Sequence, residues 1–456
     1  MNVLFRSPLG ALLARPWVDR AGLIGLRRWY FPLSRLWAAA NAASDDIDRF
    51  RAEIGASLPG FWAHPYLHAL LARNTRLRSA AEAARAAWET AMFDDMAQYH
   101  DRLRLLDRER RAAATRHLAN RASFYPLLFP RRPPPARWQI DRPDQVQRDL
   151  GLAIARPDGL YDVPVDARTI SVSQSVVKDG MREYWLRAPT PAARLRERPG
   201  SETLYARVVE PADVAAQATL IFGSGLCLEF ELLTLARDPA TRLAALGWRV
   251  VEPISPYHGL RGMPGRYGGE PFFAAGPTSS IDLIAGQAIE SALLVAWCRG
   301  RFDGKVALAG ISMTSFVAQQ VASRCHVWPA DARPDAVMLI SHSGRIEEVT
   351  FGGELAAALG LDRALAQAGW SREMLTELSR LVDPAETPAV APSHIVSVLG
   401  ESDRWVPYGD GLAVARRWRL PEPNIFRYPL GHLGMPVQLT RNTAPFERLR
   451  QVLAEA

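Results

Sequence analysis

Apolar and polar positions along this chain change their period partway through. Over residues 1–125 apolar positions recur at three- and four-residue steps, the signature of helices laid on a core. Between Pro65 and Asn120 there is no glycine and no further proline, and Ala84, Trp88 and Met92 share one helix face. Ser44-Asp45-Asp46 reads as a helix start, with acids near the positive end of the dipole. Leu58-Pro59-Gly60 reads as a break. Trp17, Trp29, Trp37, Trp62 and Trp88 supply faces that need burial, either inside this unit or against the rest of the protein as a cap over a cavity mouth.

Residues 126–135 include three consecutive prolines and cannot continue a helix, so 126–165 is expected to be a Pro-rich linker. Beyond it the period shortens. Segments 173–177 and 182–186 flank Lys178-Asp179-Gly180-Met181, a hairpin pattern with Asp-Gly in the turn. Strand patterns at 204–209, 219–222, 249–252, 305–309, 336–340, 395–399 and 425–428 alternate with helical ones at 229–246, 281–299, 313–324, 411–418 and 443–454. That alternation predicts an α/β domain over 166–456, with a mostly parallel sheet of about eight strands covered on both faces. Helical pattern also fills 353–381, with a start at Ser371. An insertion near 345–385 is therefore expected, serving as a lid or as a long crossover.

Composition narrows the class. Of 456 residues, 48% are hydrophobic and 23% charged, which excludes disordered and fibrous chains. Apolar runs such as 291–297 and 336–340 fall short of the roughly 20 residues of a membrane helix. Residues 1–150 hold 24 Arg against 15 Asp and Glu, while the remainder is close to neutral. This basic third suits either a solvated helical surface or peripheral contact with anionic headgroups, and nucleic acid is not expected as a partner. Cys227, Cys298 and Cys325 lack metal-site spacing, and residues 1–14 show no leader pattern, so a reducing, cytoplasmic setting is expected.

The chemistry concentrates around Lys305-Val306-Ala307-Leu308-Ala309-Gly310-Ile311-Ser312-Met313-Thr314. An apolar strand, a tight turn centred on serine and a helix form the context in which Gly-x-Ser-x-Gly presents a nucleophile. Thr314 stands where the second glycine would be, so small residues facing it are needed to make room. A serine that merely caps a helix is the alternative.

Such a serine needs a base and an orienting acid, in the chain order Ser, acid, His. His326, His342, His394 and His432 follow Ser312. Only His432 sits on a glycine-flanked loop after the last strand, free to reach back to the turn. Asp403 follows the penultimate strand directly and is the candidate acid, with Glu401, Glu347 and Glu348 as substitutes. Gly223, Ser224, Gly225 and Leu226, at the end of another strand, together with Met313, are candidates to hold an oxyanion through their N–H groups. Tyr257, His258 and Arg261 could line the mouth of the site or serve as turn residues.

Several segments resemble the α/β-hydrolase superfamily and, within it, the α/β-hydrolase-domain-containing-eighteen subgroup. They are Gly223-Ser224-Gly225, the Glu252 to Arg261 stretch, Ala288-Ile289-Glu290-Ser291-Ala292, Gly310-Ile311-Ser312-Met313 and Gly431-His432. The resemblance spans about 204–436 and leaves the first 150 residues without a counterpart. It implies an α/β-hydrolase fold with Ser312 as nucleophile, His432 as base and Asp403 as acid. The implied reaction is hydrolysis of an ester, thioester or related acyl bond of a small or lipid-like substrate, with no metal or organic cofactor. Alternatives on the same fold are a low-turnover interaction scaffold, an acyltransferase and a carbon–carbon bond hydrolase.

Overall fold

A computed structural model describes residues 16–55, 64–94, 100–129, 132–226 and 238–456. The amino-terminal part is helical as its periodicity predicts, with helices Pro16–Gly25, Phe31–Ala43, Ile47–Ile54, His64–Met92 and His100–Ala119. Asp46 is the cap expected near Ser44: its carboxylate accepts the N–H of Arg49 at 3.0 Å. The break at 58–60, Trp62 and Cys227 lie outside the described residues.

Among the described residues ten strands follow: β1 (Ser171–Val172), β2 (Val176–Lys178), β3 (Met181–Pro189), β4 (Thr203–Pro211), β5 (Ala218–Gly223), β6 (Trp248–Pro253), β7 (Val306–Ile311), β8 (Ala336–Ile340), β9 (Ile395–Gly400) and β10 (Ile425–Tyr428). They form a single sheet in the order β1-β3-β4-β6-β5-β7-β8-β9-β10, with β2 paired to β3. From β6 through β10 neighbouring strands are parallel, whereas β3 and β4 run antiparallel. This is the α/β-hydrolase fold, with two short strands added at one edge. The β2–β3 hairpin turns on Asp179 and Gly180, both at positive φ, as Asp-Gly predicts.

The central strands are buried along almost their whole length because helices cover both faces. Thr278–Arg301 and Met313–Arg324 cover one face; Pro239–Ala245 and Ala444–Glu455 cover the other. Thr278–Arg301 is long and apolar enough to cross a membrane, but here it is the core helix, buried almost throughout. The first half of the helix expected at 229–246 lies outside the described residues.

The stretch expected to be a linker is more structured than its prolines suggest. Pro143 occupies the first turn of helix Pro143–Ala155, where its missing N–H costs nothing, and Val146 and Leu150 are buried in the main core. The insertion forms four short helices: Ile346–Gly352, Glu354–Leu359, Leu361–Gln367 and Arg372–Ser379. Ser371 caps the last of them.

The helical unit packs both on itself and on the α/β domain. Trp37 and Trp88 are buried, whereas Trp17 and Trp29 remain exposed. Trp88 meets Trp185 of β3 edge-on, with ring centroids 5.3 Å apart, and Arg110 lies over the Trp88 ring. Phe31 packs on Tyr267 and Phe273, in a cluster that also takes in Leu359 of the insertion. Part of the arginine excess is internal: Arg35, Arg110 and Arg121 are buried, and Arg35 pairs with Glu53 at 3.2 Å.

Candidate active site

The turn after β7 is shaped by sterics. Ser312 has φ 56° and ψ −115°, a conformation that costs a non-glycine residue about 1–3 kcal/mol. A Cβ on Gly310 would lie 2.1 Å from the carbonyl oxygen of Thr314, so only glycine fits beneath the turn. Thr314, the departure from the glycine pattern, braces it: its hydroxyl accepts the N–H of Ile311 at 3.0 Å and lies 3.1 Å from the Ile311 carbonyl oxygen. The room for its side chain comes from Gly223 on the adjacent strand.

Three loops at the carboxyl end of the sheet bring the candidate triad together. The Nε2 of His432 lies 2.9 Å from Ser312 Oγ, and its Nδ1 lies 2.7 Å from Asp403 Oδ2. The other carboxylate oxygen of Asp403 accepts the N–H groups of Trp405 and Val406, each at 3.0 Å. These bonds fix the acid, and the acid fixes the tautomer in which Nδ1 carries the proton and Nε2 is free to accept one. The Trp405 indole is stacked on the imidazole.

Electrostatics favour a charged imidazole at this position. Burial is the largest single influence on His432 and pulls its pKa down. The charge and hydrogen bond of Asp403, with the charge of Asp19 added, outweigh it, and the pKa lies above the ordinary histidine value. An imidazolium formed here by taking a proton from a neighbouring hydroxyl would be stabilised by these carboxylates.

Ser312 and His432 open into a cavity of about 140 Å³. Its walls are almost wholly apolar. The insertion supplies Val349, Leu355, Leu375 and Leu378 among others. Met313 and Leu226 line the floor beside the serine. Met313 opens the helix Met313–Arg324, where N–H groups have no intrahelical acceptor and can face an oxyanion. Gly223 ends β5, and Ser224 and Gly225 connect it to Leu226.

Other expectations are corrected. Tyr257, His258 and Arg261 do not line this cavity; all three are buried in the packing behind it. Tyr257 takes φ 69° at a tight turn. The Nδ1 of His258 faces the Pro256 carbonyl at 2.9 Å, and burial pulls its pKa down to about 4. Arg261 forms a two-pronged ion pair with Glu290, both contacts at 2.8 Å, and donates to the carbonyls of Ile254 and Ser201. The 252–261 stretch and the core helix Thr278–Arg301 thus meet through one buried pair.

The substitute acids are placed elsewhere. Glu401 is exposed, Glu348 pairs with Arg372 at 2.7 Å, and Glu347 on the cavity wall bonds to Thr376. His342 is buried between Ser397 and Gln319, its pKa lowered to about 4 by burial, and His326 lies on the surface beside Asp158. Sequence reasoning missed Trp405 and Asp19. Trp405 lies two residues past the acid, close enough to have been suspected; Asp19 carries no local signal. Among the described residues no group of three or more His, Cys, Asp and Glu side chains is placed to hold a metal ion.

No family model and no curated protein matches the chain. Among solved structures it is similar to acetyl xylan esterase 1 from Thermoanaerobacterium sp., at 15% identity and a TM-score of 0.42 over 62% of this chain and 88% of that one. It is also similar to an esterase from Pyrobaculum calidifontis, at 15% identity and a TM-score of 0.38, covering 69% and 92%. An acylaminoacyl peptidase from Pyrococcus horikoshii, at 10% identity and a TM-score of 0.40, covers 63% and 48%.

Proposed function

We propose that this protein is a serine hydrolase that cleaves esters or thioesters of apolar acyl groups. One observation carries the reading: the hydrogen-bonded series Ser312–His432–Asp403 ends in a hydroxyl at the floor of an apolar cavity. The acyl chain lies among the leucines of the insertion, and its carbonyl carbon meets Ser312 Oγ. His432 takes the serine proton as the bond forms, and Asp403 stabilises the resulting imidazolium. The N–H of Met313 and one from the 223–226 segment hold the oxyanion. His432 then protonates the leaving alcohol or thiol. Water, deprotonated by the same imidazole, releases the acid and restores the serine.

The resemblance to the α/β-hydrolase-domain-containing-eighteen subgroup belongs to this proposal. Its motifs fall at the serine turn, at the histidine loop and on both partners of the Arg261–Glu290 pair. A fluorophosphonate probe tests the assignment. Wild type is labelled covalently, and Ser312→Ala is not. A folded wild-type protein that resists the probe, and that leaves p-nitrophenyl esters of every chain length intact, overturns the enzyme reading in favour of a scaffold.

A further inference from the structure

The loop bearing His432 is held by the first described helix of the chain. Asp19, in Pro16–Gly25, lies 413 residues before the histidine, yet its Oδ2 accepts the backbone N–H of His432 at 2.5 Å. Its Oδ1 accepts the N–H of Leu433 at 2.9 Å. Leu433 precedes helix Gly434–Arg441, where N–H groups lack intrahelical acceptors, so the carboxylate also caps that helix from a distance.

Two glycines make the approach possible. A Cβ on Gly431 would lie 2.1 Å from Asp19 Oδ2, and one on Gly22 would lie 2.3 Å from a methyl carbon of Leu433. Each glycine thus receives a side chain of the other element. Asp19 is itself only 5% exposed. Burial is also the largest influence on its own pKa and raises it; the two amide bonds pull the other way.

We infer that Asp19 is a positioning residue for the base: by anchoring the amides of His432 and Leu433 it fixes the imidazole between Ser312 and Asp403. The inference rests on the hydrolase reading above. It makes the added helical unit part of the frame of the active centre. A base shifted by about 1 Å loses roughly a hundredfold in rate, so a clamp on its backbone has a measurable consequence. The charged groups acting on the imidazole are Asp403 from the β9 loop and Asp19 from the first helix, while Glu347 lines the same cavity and bonds to Thr376. Of these, Asp19 alone holds the backbone of the loop.

The test uses full-length Asp19→Asn, which keeps the volume, and Asp19→Ala, beside Ser312→Ala. Ester turnover is followed across pH, and thermal denaturation checks folding. The expected result is a fall in kcat of about 10- to 100-fold with KM nearly unchanged. The acid limb of kcat/KM also moves to lower pH, because removing a negative charge disfavours the imidazolium. Both effects are expected in the Asn variant even where the Ala variant does not fold. Two outcomes overturn the inference: kcat within about twofold of wild type, or a lowered melting temperature with rate and acid limb unmoved. An inactive Ser312→Ala beside an unaffected Asp19→Asn overturns this inference alone. A fully active Ser312→Ala overturns the hydrolase reading and the inference with it.

Discussion

Gly223 and Thr314 face each other across the junction of β5 and β7, and a Cβ on Gly223 would lie 2.8 Å from both Cβ and Oγ1 of Thr314. The two positions are therefore complementary: the side chain missing from one strand end admits the extra one on the serine turn. Gly223→Ala is expected to lose about 1–3 kcal/mol through overpacking. Thr314→Gly should keep fluorophosphonate labelling while losing about 1–2 kcal/mol from its hydroxyl bonds and the freer backbone. In the double variant the alanine penalty should largely vanish. Denaturant unfolding of the four proteins measures the coupling, and simple additivity would refute the complementarity.

Protonation of His432 should govern the acid side of the pH profile. Only the neutral imidazole accepts the serine proton, so kcat/KM rises with pH as the ring deprotonates. Because Asp403 and Asp19 together raise its pKa against the pull of burial, the midpoint in free enzyme should lie above the ordinary value of about 6.5. Asp403→Asn should move that midpoint downward and reduce the plateau by about 10³- to 10⁴-fold, since the amide favours the wrong tautomer. A midpoint unmoved by this substitution would show that another group titrates.

Chain-length preference should follow the insertion. Leu375 is a cavity residue on helix Arg372–Ser379. Replacing it with tryptophan fills part of the space left for an acyl chain. Activity on p-nitrophenyl decanoate should fall at least tenfold more than activity on the acetate, read as kcat/KM, because each displaced methylene forfeits about 0.8 kcal/mol of burial. Equal losses on both esters would place the acyl chain elsewhere.

Arg261 and Glu290 make a different kind of prediction. Both side chains are fully buried and bonded to each other twice. Glu290→Gln leaves a buried guanidinium without its counter-charge and should cost about 3–5 kcal/mol of stability. The folded fraction should keep its KM, since the pair lies outside the cavity. A raised KM at unchanged stability would restore the mouth-lining role that the sequence suggested for Arg261.

What could be read from the sequence follows from how local each signal is. The strands β4 to β10 announce themselves by short buried runs between helical periods, and the serine turn by the order strand, Gly310, Ser312, helix. Asp403 and His432 could be chosen because each stands just past a strand, on the edge where loops meet. The role of Arg261 stayed open between chemistry and structure because its partner lies 29 residues away on a helix whose pattern reads as plain core. Helix Pro143–Ala155 was hidden by a proline that favours a first helical turn as readily as a linker. Asp19 looks like any acid near the start of a helix, and nothing nearby points to a loop at the far end of the chain.

Phe31, Tyr267, Phe273 and Leu359 belong to one apolar cluster, although they come from the amino-terminal helices, the α/β domain and its insertion. Such a seam makes modular dissection self-defeating. A truncation that starts near residue 140 would lay bare greasy surface beside the cavity and strip the histidine loop of its anchor. It should precipitate or lose its cooperative melting transition, and it would not emerge as a pared-down hydrolase with a wider entrance.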